Sequence, residues 1–455
     1  MLSQPFQRFI EASPVTVMLR GVVERTLNAE WLDAWFERTA ESQYTRELLF
    51  STVFDLMLQV VCGVRRTVGS AYQAHEHAIP VSIQAVYDKL KGIEPATAAE
   101  LVRDQAQQAE ALIDALQGAR PPWLPGYRVK ILDGNCLEAS ERRLKEQRRL
   151  SAAPLPGKSL VVYDPALEVV TDVVPCEDGH AQERRLLGAI LPRVASKEVW
   201  IGDRNFGVRS FLQGLEDRGA YFVIREHEQV RFKPLEAMRE IGPTETGRVS
   251  EQRIEVQDEH GQGRHWRRIR VQLKKPTREG ENTLFIWSNL PASIEARTLA
   301  DLYRKRWTLE TAFQHLEHNL NSEINTLAYP RAALFGFCIA LVAYNTLAVL
   351  QAAWRRVPGA ERVDHQVSGY YLAEEVSATY QGMMIALPPS EWEVFQHLPV
   401  DQMATWLIEL AQHVRLPAFR KHQRGPKKPQ PKRQHNPKQP HVSTAKLIAE
   451  RRRRA

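Results

Sequence analysis

Two stretches of the sequence share one pattern, a short apolar run that ends in an aspartate: Val-Lys-Ile-Leu-Asp-Gly-Asn at 129–135 and Val-Trp-Ile-Gly-Asp-Arg-Asn-Phe at 199–206. Short runs rich in Val and Ile between turn-forming residues are typical of β-strands. The two acids are Asp133 and Asp203. Catalytic and ligand-binding groups favour the carboxyl ends of sheet strands, so the pattern indicates a functional edge that contains both acids.

Each aspartate also has a plainer interpretation. Asp133-Gly134 is a common dipeptide of two-residue hairpin turns, although the next strand-like residues begin only near Ser159, and the two interpretations have equal support. Asp203 precedes a helix that begins near Val208, so a role as a helix cap is as well supported as catalysis. Two-metal phosphoryl transfer requires carboxylates that converge from different elements on two divalent ions about 4 Å apart.

A third acid lies on a predicted helix at 294–320, where Tyr303, Arg306 and Glu310 project from nearly one side. The alternative is an ordinary ion pair between Arg306 and Glu310 on a solvated face. The neighbouring residues are apolar, so such a pair would be partly buried: Leu302, Trp307, Leu309 and Phe313. A buried acid requires a partner or a function.

The order of the predicted elements indicates the fold class. Strand-like runs lie at 127–132, 159–163, 169–175, 199–201 and 220–225, and helical periodicity lies at 183–194 and 208–218. Three strands, a helix, a strand, a helix and a strand is the order of an RNase H-like mixed sheet. We therefore predict an α/β layer with helices on both faces of the sheet.

We expect six regions along the chain. A helical N-terminal domain at 1–120, which is a candidate DNA-binding unit, precedes the catalytic domain at 121–225 and 291–356. An inserted antiparallel β subdomain at 226–290 interrupts that domain, because strand-like runs alternate there with Gly, Pro and charged turns. A helical region at 357–414 and a basic flexible tail at 415–455, rich in Pro, Gln, Lys and Arg, complete the chain.

The charge is concentrated in that tail. The chain has a net charge of +7, but residues 415–455 hold fourteen Lys or Arg and one acid, a net of +13, which leaves −6 for the rest. This composition favours salt-sensitive contact with DNA, and a merely solubilising tail is the alternative. The four cysteines are scattered, which supports neither disulfides nor a zinc site and indicates a reducing cytoplasm. The N-terminus does not have the pattern of a secretory signal.

Residues 332–354 contain no charged residue over a length that would span a membrane. The polar residues Tyr344, Asn345, Thr346 and Gln351 interrupt this stretch, and the sequence has no second one like it. A helix buried inside a large core is therefore favoured over a membrane span.

The combined motifs resemble those of IS-four family transposases of bacterial insertion sequences, members of the DDE transposase superfamily. The family motif of Tyr, two residues, Arg, three residues and Glu is matched by Tyr303, Arg306 and Glu310. The lysine that follows in the family is Glu317 here, which is a departure. The other matches are Asp133-Gly134-Asn135, Asp203-Arg204-Asn205-Phe206 and Tyr329-Pro330 before an apolar helix, all in the family's order.

The resemblance implies a cytoplasmic, nucleoid-associated DNA transposase with Asp133, Asp203 and Glu310 as catalytic residues and as ligands of two Mg²⁺ or Mn²⁺ ions. It implies nicking at transposon ends, transfer of the 3′-hydroxyl into target DNA, and a homo-oligomer on double-stranded DNA. Tyr303 and Arg306 would hold the DNA backbone, since arginine contacts phosphate with two donors. The alternative is a catalytically impaired or domesticated transposase that only binds DNA, which Glu317 favours.

Two minor signals have ordinary explanations that we favour. Trp266 and Trp287 in the inserted segment are more often packing residues than platforms for an extruded base. Asp178, His180 and Glu183 are better explained as a structured loop before a helix than as a metal cluster.

Overall fold

The computed structural model of the protein describes residues 3–43, 45–138, 144–147, 153–228, 230–258, 261–277, 280–357, 367–421 and 441–454. Within these ranges the side chains at 153, 154, 310, 311, 314, 315, 317, 318, 441 and 442 are outside the description. Glu310 and Glu317 are therefore placed by their backbone alone.

A mixed sheet of ten strands runs through the structure. Its first half has the order β4, β3, β1, β5, β6, with β1 antiparallel to β3 and parallel to β5. These strands are β1 (Arg128–Leu137), β3 (Gly157–Asp164), β4 (Val169–Cys176), β5 (Glu198–Gly202) and β6 (Tyr221–Arg225), and a short β2 (Ala153–Leu155) lies outside the sheet. The predicted mixed sheet and the predicted order of its first five strands along the chain are confirmed.

The inserted segment is antiparallel, as predicted, but its strands continue the same sheet. β11 pairs with β6, β10 pairs with β11, and β9 pairs with β10. The short strands β7 and β8 both pair with the outer side of β9. These strands are β7 (Lys233–Pro234), β8 (Arg239–Pro243), β9 (Gly247–Gln257), β10 (Gly263–Leu273) and β11 (Thr283–Ser288). Trp266 and Trp287 are 1% and 0% exposed, so they pack against each other in the core and the base-stacking hypothesis is wrong.

In the part of the chain that the structure describes, seven α-helices precede the sheet, in agreement with the predicted helical region. They are α1 (Gln4–Ala12), α2 (Pro14–Leu27), α3 (Ala29–Thr39), α4 (Phe50–Val61), α5 (Val68–His75), α6 (Ile83–Gly92) and α7 (Pro95–Leu116). The later helices are α8 (Arg209–Glu216), α9 (Ala296–Arg304), α10 (Trp307–Asn319), α11 (Pro330–Trp354), α12 (Gly369–Ala386), α13 (Val400–His413) and α14 (Thr444–Arg454).

Helices cover both faces of the sheet. α7 and α11 pack on the face that carries Ile131, and α9 packs on the same face further along the sheet. α8 and three short 3₁₀ helices pack on the opposite face, which carries Leu132. These are Glu183–Arg185, Leu187–Ala189 and Leu191–Arg193, where we expected one α-helix. Pro192 cannot donate a backbone hydrogen bond, and this prevents a continuous helix.

The predicted helix at 294–320 is divided into α9 and α10. Between them the chain continues with tighter hydrogen bonds, from Arg306 N to Tyr303 O (3.1 Å) and from Thr308 N to Lys305 O (3.0 Å). Bonds of this i to i+3 type belong to a 3₁₀ turn, which has a different pitch from an α-helix. Tyr303 and Arg306 therefore lie on either side of a turn and not on one straight helix.

The apolar helix α11 is enclosed by the fold. It is the one helix among the described residues that is long and apolar enough to cross a membrane, and 89% of its most apolar window is buried inside the structure. It contacts α7, α4, α13 and the edge strand β4. The favoured interpretation, a helix buried in a large core, agrees with this packing.

Asn345 explains why such a helix contains polar residues. Its side chain is fully buried, accepts a hydrogen bond from Val170 N (2.8 Å) and donates one to Val170 O (2.9 Å). Val170 lies in β4, and no strand among the described residues pairs with the outer side of β4. Backbone groups at a covered sheet edge require other partners, and Asn345 provides both of them.

The C-terminal region differs from the expected flexible tail. A strand β12 (His441–Ser443) pairs in parallel with β2, and α14 follows directly. Leu416–Phe419 forms a 3₁₀ helix whose Phe419 is buried against Trp354. Residues 422–440, where Pro, Gln, Lys and Arg are concentrated, lie outside the described residues. The average composition of 415–455 gives no sign that Ser443 and Thr444 are buried against the body of the protein.

We expect Asn345→Leu to lower the stability of the protein by about 3 kcal/mol. The substitution leaves a buried N–H and a buried C=O of Val170 without partners, at about 1–3 kcal/mol each. The midpoint of urea unfolding measures the effect. Gln351→Leu, on the same helix but half-buried, is the control and should change stability by less than about 0.5 kcal/mol. Equal effects of the two substitutions would contradict this account.

The buried carboxyl of Glu375, on α12, should make the stability of the protein depend on pH. Burial raises the pKa of its carboxyl to about 7, although the N–H groups of Val15 and Thr16 partly oppose the shift. Since the folded-state pKa lies above the ordinary value, the stability contribution is complete at low pH and is lost as the pH rises towards 7. Glu375→Gln should therefore raise the urea midpoint at pH 8 and change it little at pH 4.5. The control is Glu374→Gln, a substitution of the exposed neighbouring glutamate.

Candidate functional site

Asp133 lies inside strand β1, not at its end. Pairing with β3 continues through Asp133↔Val161 and Gly134↔Leu160 to Leu137. The hairpin-turn interpretation is therefore wrong, and so is the expectation that the strand stops before the acid. What does stop is the parallel pairing with β5, whose last matched pair is Ile131↔Ile201. Asp133 thus lies just beyond the carboxyl end of the parallel part of the sheet.

Asp203 follows directly after β5 and caps the short 3₁₀ helix Arg204–Phe206. Its Oδ1 accepts a hydrogen bond from Asn205 N (2.8 Å), so the capping role that the sequence left open is real. The register of β1 and β5 has a constant offset from Arg128↔Glu198 to Ile131↔Ile201. If this register continues for two more residues, Asp133 lies level with Asp203. Neighbouring strands of a sheet are about 4.8 Å apart.

Arg225 extends this row to a third strand. The pair Gly202↔Ile224 places Arg225 level with Asp203, at the end of β6. Its guanidinium forms an ion pair with Glu281 from the inserted segment, and Arg204 lies 3.7 Å from the same carboxylate. The neighbouring arginines hold the pKa of Glu281 below its usual range. The insertion therefore contributes a charged group to the edge of the candidate site.

Arg306 connects the helical layer to the acids. Its Nη1 donates to Asp133 Oδ2 at 3.1 Å, and both side chains are mostly buried, at 13% and 17% exposed. Tyr303 is hydrogen-bonded to Arg306, and burial raises the pKa of the Tyr303 hydroxyl, with the charge of Asp203 adding to the shift and those of Arg306 and Arg225 opposing it. Tyr303 and Arg306, the two residues expected to hold DNA, thus lie beside the two aspartates.

Position 310 stands one helical turn after Arg306 on α10. Its backbone is therefore close to the turn from which Arg306 reaches Asp133. The side chain of Glu310, like that of Glu317, lies outside the described residues. The structure brings Asp133, Asp203, Tyr303 and Arg306 together, and convergence of the third carboxylate stays a prediction.

Glu183, which the sequence analysis assigned to a structured loop before a helix, is a neighbour of the site. A side chain at Gly134 would collide with the Glu183 carboxylate. Side chains alternate along a strand, so Glu183 approaches from the face opposite to Asp133. Burial raises the pKa of Glu183, and the charge of Asp203 adds to the shift while Lys158 opposes it. The glycine at position 134 was the one sequence signal that a neighbouring group lies close to β1 there. The sequence alone could not show that this group is the Glu183 carboxylate.

The aspartates are chemically suited to Mg²⁺ or Mn²⁺, since both ions prefer carboxylate oxygens. One Asp203 oxygen is engaged by a backbone N–H, and Asp133 shares its carboxylate with Gly134 N (3.0 Å) and Arg306. Among the side chains described, no three of the His, Cys, Asp and Glu type form a metal-sized group. Asp178, which the sequence analysis places in a structured loop, contacts Ser443 and Lys446.

Comparison with known proteins identifies one similar family. Residues 125–346 match the family described as "Transposase DDE domain", and this range includes Asp133, Asp203, Tyr303, Arg306 and Glu310. No curated protein sequence matched the chain. A similar solved structure is described as "Cryo-EM structure of piggyBac transposase synaptic complex with hairpin DNA", with 12% sequence identity, coverage of 84% of this chain and 85% of that chain, and a TM-score of 0.39.

We expect Arg306→Gln to destabilise the metal-free protein by about 2 kcal/mol. Removing one partner of a fully buried pair costs ~3–5 kcal/mol, and both side chains here retain some contact with solvent. Mg²⁺ should then raise the melting temperature of the variant more than that of the wild type, because the cation replaces the missing charge. Thermal unfolding with and without Mg²⁺ measures both effects.

Arg304→Gln, which removes an exposed pair with Glu245, is the control. An equal response of wild type and variant to Mg²⁺ would show that Arg306 does not compete for the cation's position.

Proposed function

We propose that this chain is a DNA transposase that nicks DNA at transposon ends and transfers the 3′-hydroxyl into target DNA. Asp133, Asp203 and Glu310 would hold two Mg²⁺ or Mn²⁺ ions. The observation that carries the proposal is the parallel register of β1 and β5, which, continued two residues past Ile131↔Ile201, places Asp133 level with Asp203. The match of residues 125–346 to the transposase DDE domain supports transposase function independently of that geometry.

The bound ions would activate the attacking oxygen and stabilise the leaving oxygen of the phosphodiester. The chain's own contribution is to hold carboxylate oxygens rigidly. Asp133 is fixed by pairing of β1 with β3, through Asp133↔Val161, and by its hydrogen bond from Arg306. Asp203 is fixed by its hydrogen bond to Asn205 N. Rigid ligands keep the ions in place while the charge on the phosphate changes.

Arg306 and Tyr303 would hold the DNA strand beside the acids. A guanidinium has five donors, so Arg306 can keep its contact with Asp133 and still direct other N–H groups towards a phosphate. The positive charge also reduces the repulsion between the carboxylates and the DNA backbone. We infer that double-stranded DNA is the partner and that a homo-oligomer brings two ends together.

A second candidate function is DNA binding without catalysis, as in an impaired or domesticated transposase. The observation that favours it is Glu317, which stands where the resembling family has a lysine. A carboxylate near phosphate is repulsive, so the DNA would be held less firmly there. The cleavage experiment below separates the two functions.

We expect Asp133→Asn, Asp203→Asn and Glu310→Gln each to reduce cleavage by a thousandfold or more, on the order of the loss when one member of a catalytic unit is removed. The substrate is a duplex that carries the terminal repeats flanking the gene, and cleavage should require Mg²⁺ or Mn²⁺. Binding of that duplex should persist, because the acids add no attraction to DNA.

Asp217→Asn is the matched control, since Asp217 is an exposed acid at the end of α8 that pairs with Arg264. Its cleavage rate should equal that of the wild type. Full activity in any one of the three variants would remove that residue from the catalytic set. A wild-type protein that binds the duplex but never cuts it would favour the second function.

A further inference from the structure

The last described segment, residues 441–454, is docked on the body of the protein beside the candidate site. We call this segment the C-terminal arm. It consists of β12 and α14, and it pairs with β2 through His441↔Ala153, Val442↔Pro154 and Ser443↔Leu155. Parallel pairing joins it to a strand that is nearly three hundred positions earlier in the sequence.

Buried polar contacts fix the arm at its first residues. Ser443 Oγ donates to Asp178 Oδ1 (2.6 Å), and Thr444 Oγ1 accepts from Gln147 Nε2 (2.7 Å). Ser443, Thr444 and Gln147 are 2%, 0% and 1% exposed. Lys446 Nζ adds an ion pair to Asp178 Oδ2 at 3.1 Å. Buried polar groups that satisfy one another specify a single docked position, unlike a solvated tail.

The docking point lies beyond the edge of the sheet that carries the acids. β1 continues four residues past Asp133 to Leu137, which pairs with Gly157, and Leu155 in β2 lies two residues further. At about 3.3 Å for each residue of strand and about 4.8 Å between paired strands, the arm is anchored no more than roughly 25 Å from Asp133. That distance is shorter than one turn of duplex DNA, which is about 34 Å.

The free end of the arm is strongly basic. The arm holds five Lys or Arg and one acid, Glu450, for a net charge of +4. Arg451 pairs with Glu146 on the body. Within the described part of the chain, Arg452, Arg453 and Arg454 are exposed and form no ion pair. Adjacent like charges repel one another, and a polyanion relieves that repulsion.

We propose that the C-terminal arm binds the phosphate backbone of duplex DNA within about one helical turn of the bond that the candidate site cuts. The location of the cut rests on the proposed function, whereas binding of DNA by the arm does not. Exposed arginines suit phosphate because their planar donors match its oxygens. Docking holds these charges at a fixed distance from Asp133, so the arm positions DNA as well as attracting it.

The first test is the salt dependence of DNA binding by the full chain. The triple variant Arg452→Gln, Arg453→Gln, Arg454→Gln keeps the docked residues and the Arg451 pair. Each phosphate contact adds about 0.9 to the slope of log K against log salt, so the slope should decrease by about 3. The charge-matched control is Arg8→Gln, Arg66→Gln, Lys197→Gln, at exposed positions outside the arm, and it should leave the slope unchanged. An unchanged slope in the arm variant, or an equal loss in the control, overturns the proposal.

The second test locates the arm on the DNA. The double variant Asp178→Ala, Gln147→Leu removes the side-chain anchors and keeps all of the arm's cations. Hydroxyl-radical footprinting without Mg²⁺, on a duplex with the terminal repeat, should show wild-type protection within about ten base pairs of the cut and its loss in the double variant. The salt slope of this variant should remain that of the wild type. Persistent protection in it would overturn the docked position.

A third measurement separates DNA from a lipid surface, the other polyanion that a basic helix can bind. Vesicles of phosphatidylcholine and phosphatidylserine are titrated with the wild type and the triple variant. The proposal requires that the arm substitutions weaken DNA binding and leave vesicle binding unchanged. Loss of vesicle binding without loss of DNA binding would overturn it. If the wild type cuts no DNA, the proposed function fails, but the salt slopes still decide whether the arm binds DNA.

Discussion

The parallel pairing of β1 with β5 is the constraint on which the candidate site depends. Four consecutive pairs, from Arg128↔Glu198 to Ile131↔Ile201, fix the register of two strands that are seventy residues apart in the sequence. A shift by one residue would move each side chain to the other face of the sheet. Val129, Ile131, Val199 and Ile201 are all buried on one face, so their burial resists such a shift and keeps the two aspartates level.

The contact between Arg306 and Asp133 joins this sheet to the helices. It lies at the turn between α9 and α10, and α9 is held on the sheet by Leu299 and Leu302. The helix with position 310 is therefore oriented by apolar packing on one side and by an ion pair on the other. α11 then covers the face of the same sheet and satisfies its outer strand through Asn345. Residues near the site thus belong to all three apolar clusters that the described residues form.

Much of this arrangement could be predicted from sequence, and the failures have physical causes. Period-two and apolar runs located most strands of both halves of the sheet, although β7 and β8 were missed. The family resemblance, and not spacing alone, implied that Tyr303 and Arg306 lie near the acids. The length of β1 was missed because Asp133, Gly134 and Asn135 are poor strand formers, and only pairing with β3 holds them extended. The contact of Glu183 with Gly134 and the docking of Ser443 on Asp178 join residues far apart in sequence, so no local pattern encodes them.

The pairing of β11 with β6 also affects the order in which the sheet can form during synthesis. Arg225 and Ile286 are paired across about sixty intervening residues, and long-range pairs form slowly because a large loop must close. During synthesis the strands that carry Asp133 and Asp203 leave the ribosome first, and position 310 follows only after the whole excursion through β7 to β11. A nascent chain therefore holds two acids on a sheet whose edge strand β6 is still unpaired. The helix that contains position 310 is made only after the returning strand β11, so synthesis of the first half of the sheet precedes synthesis of that helix.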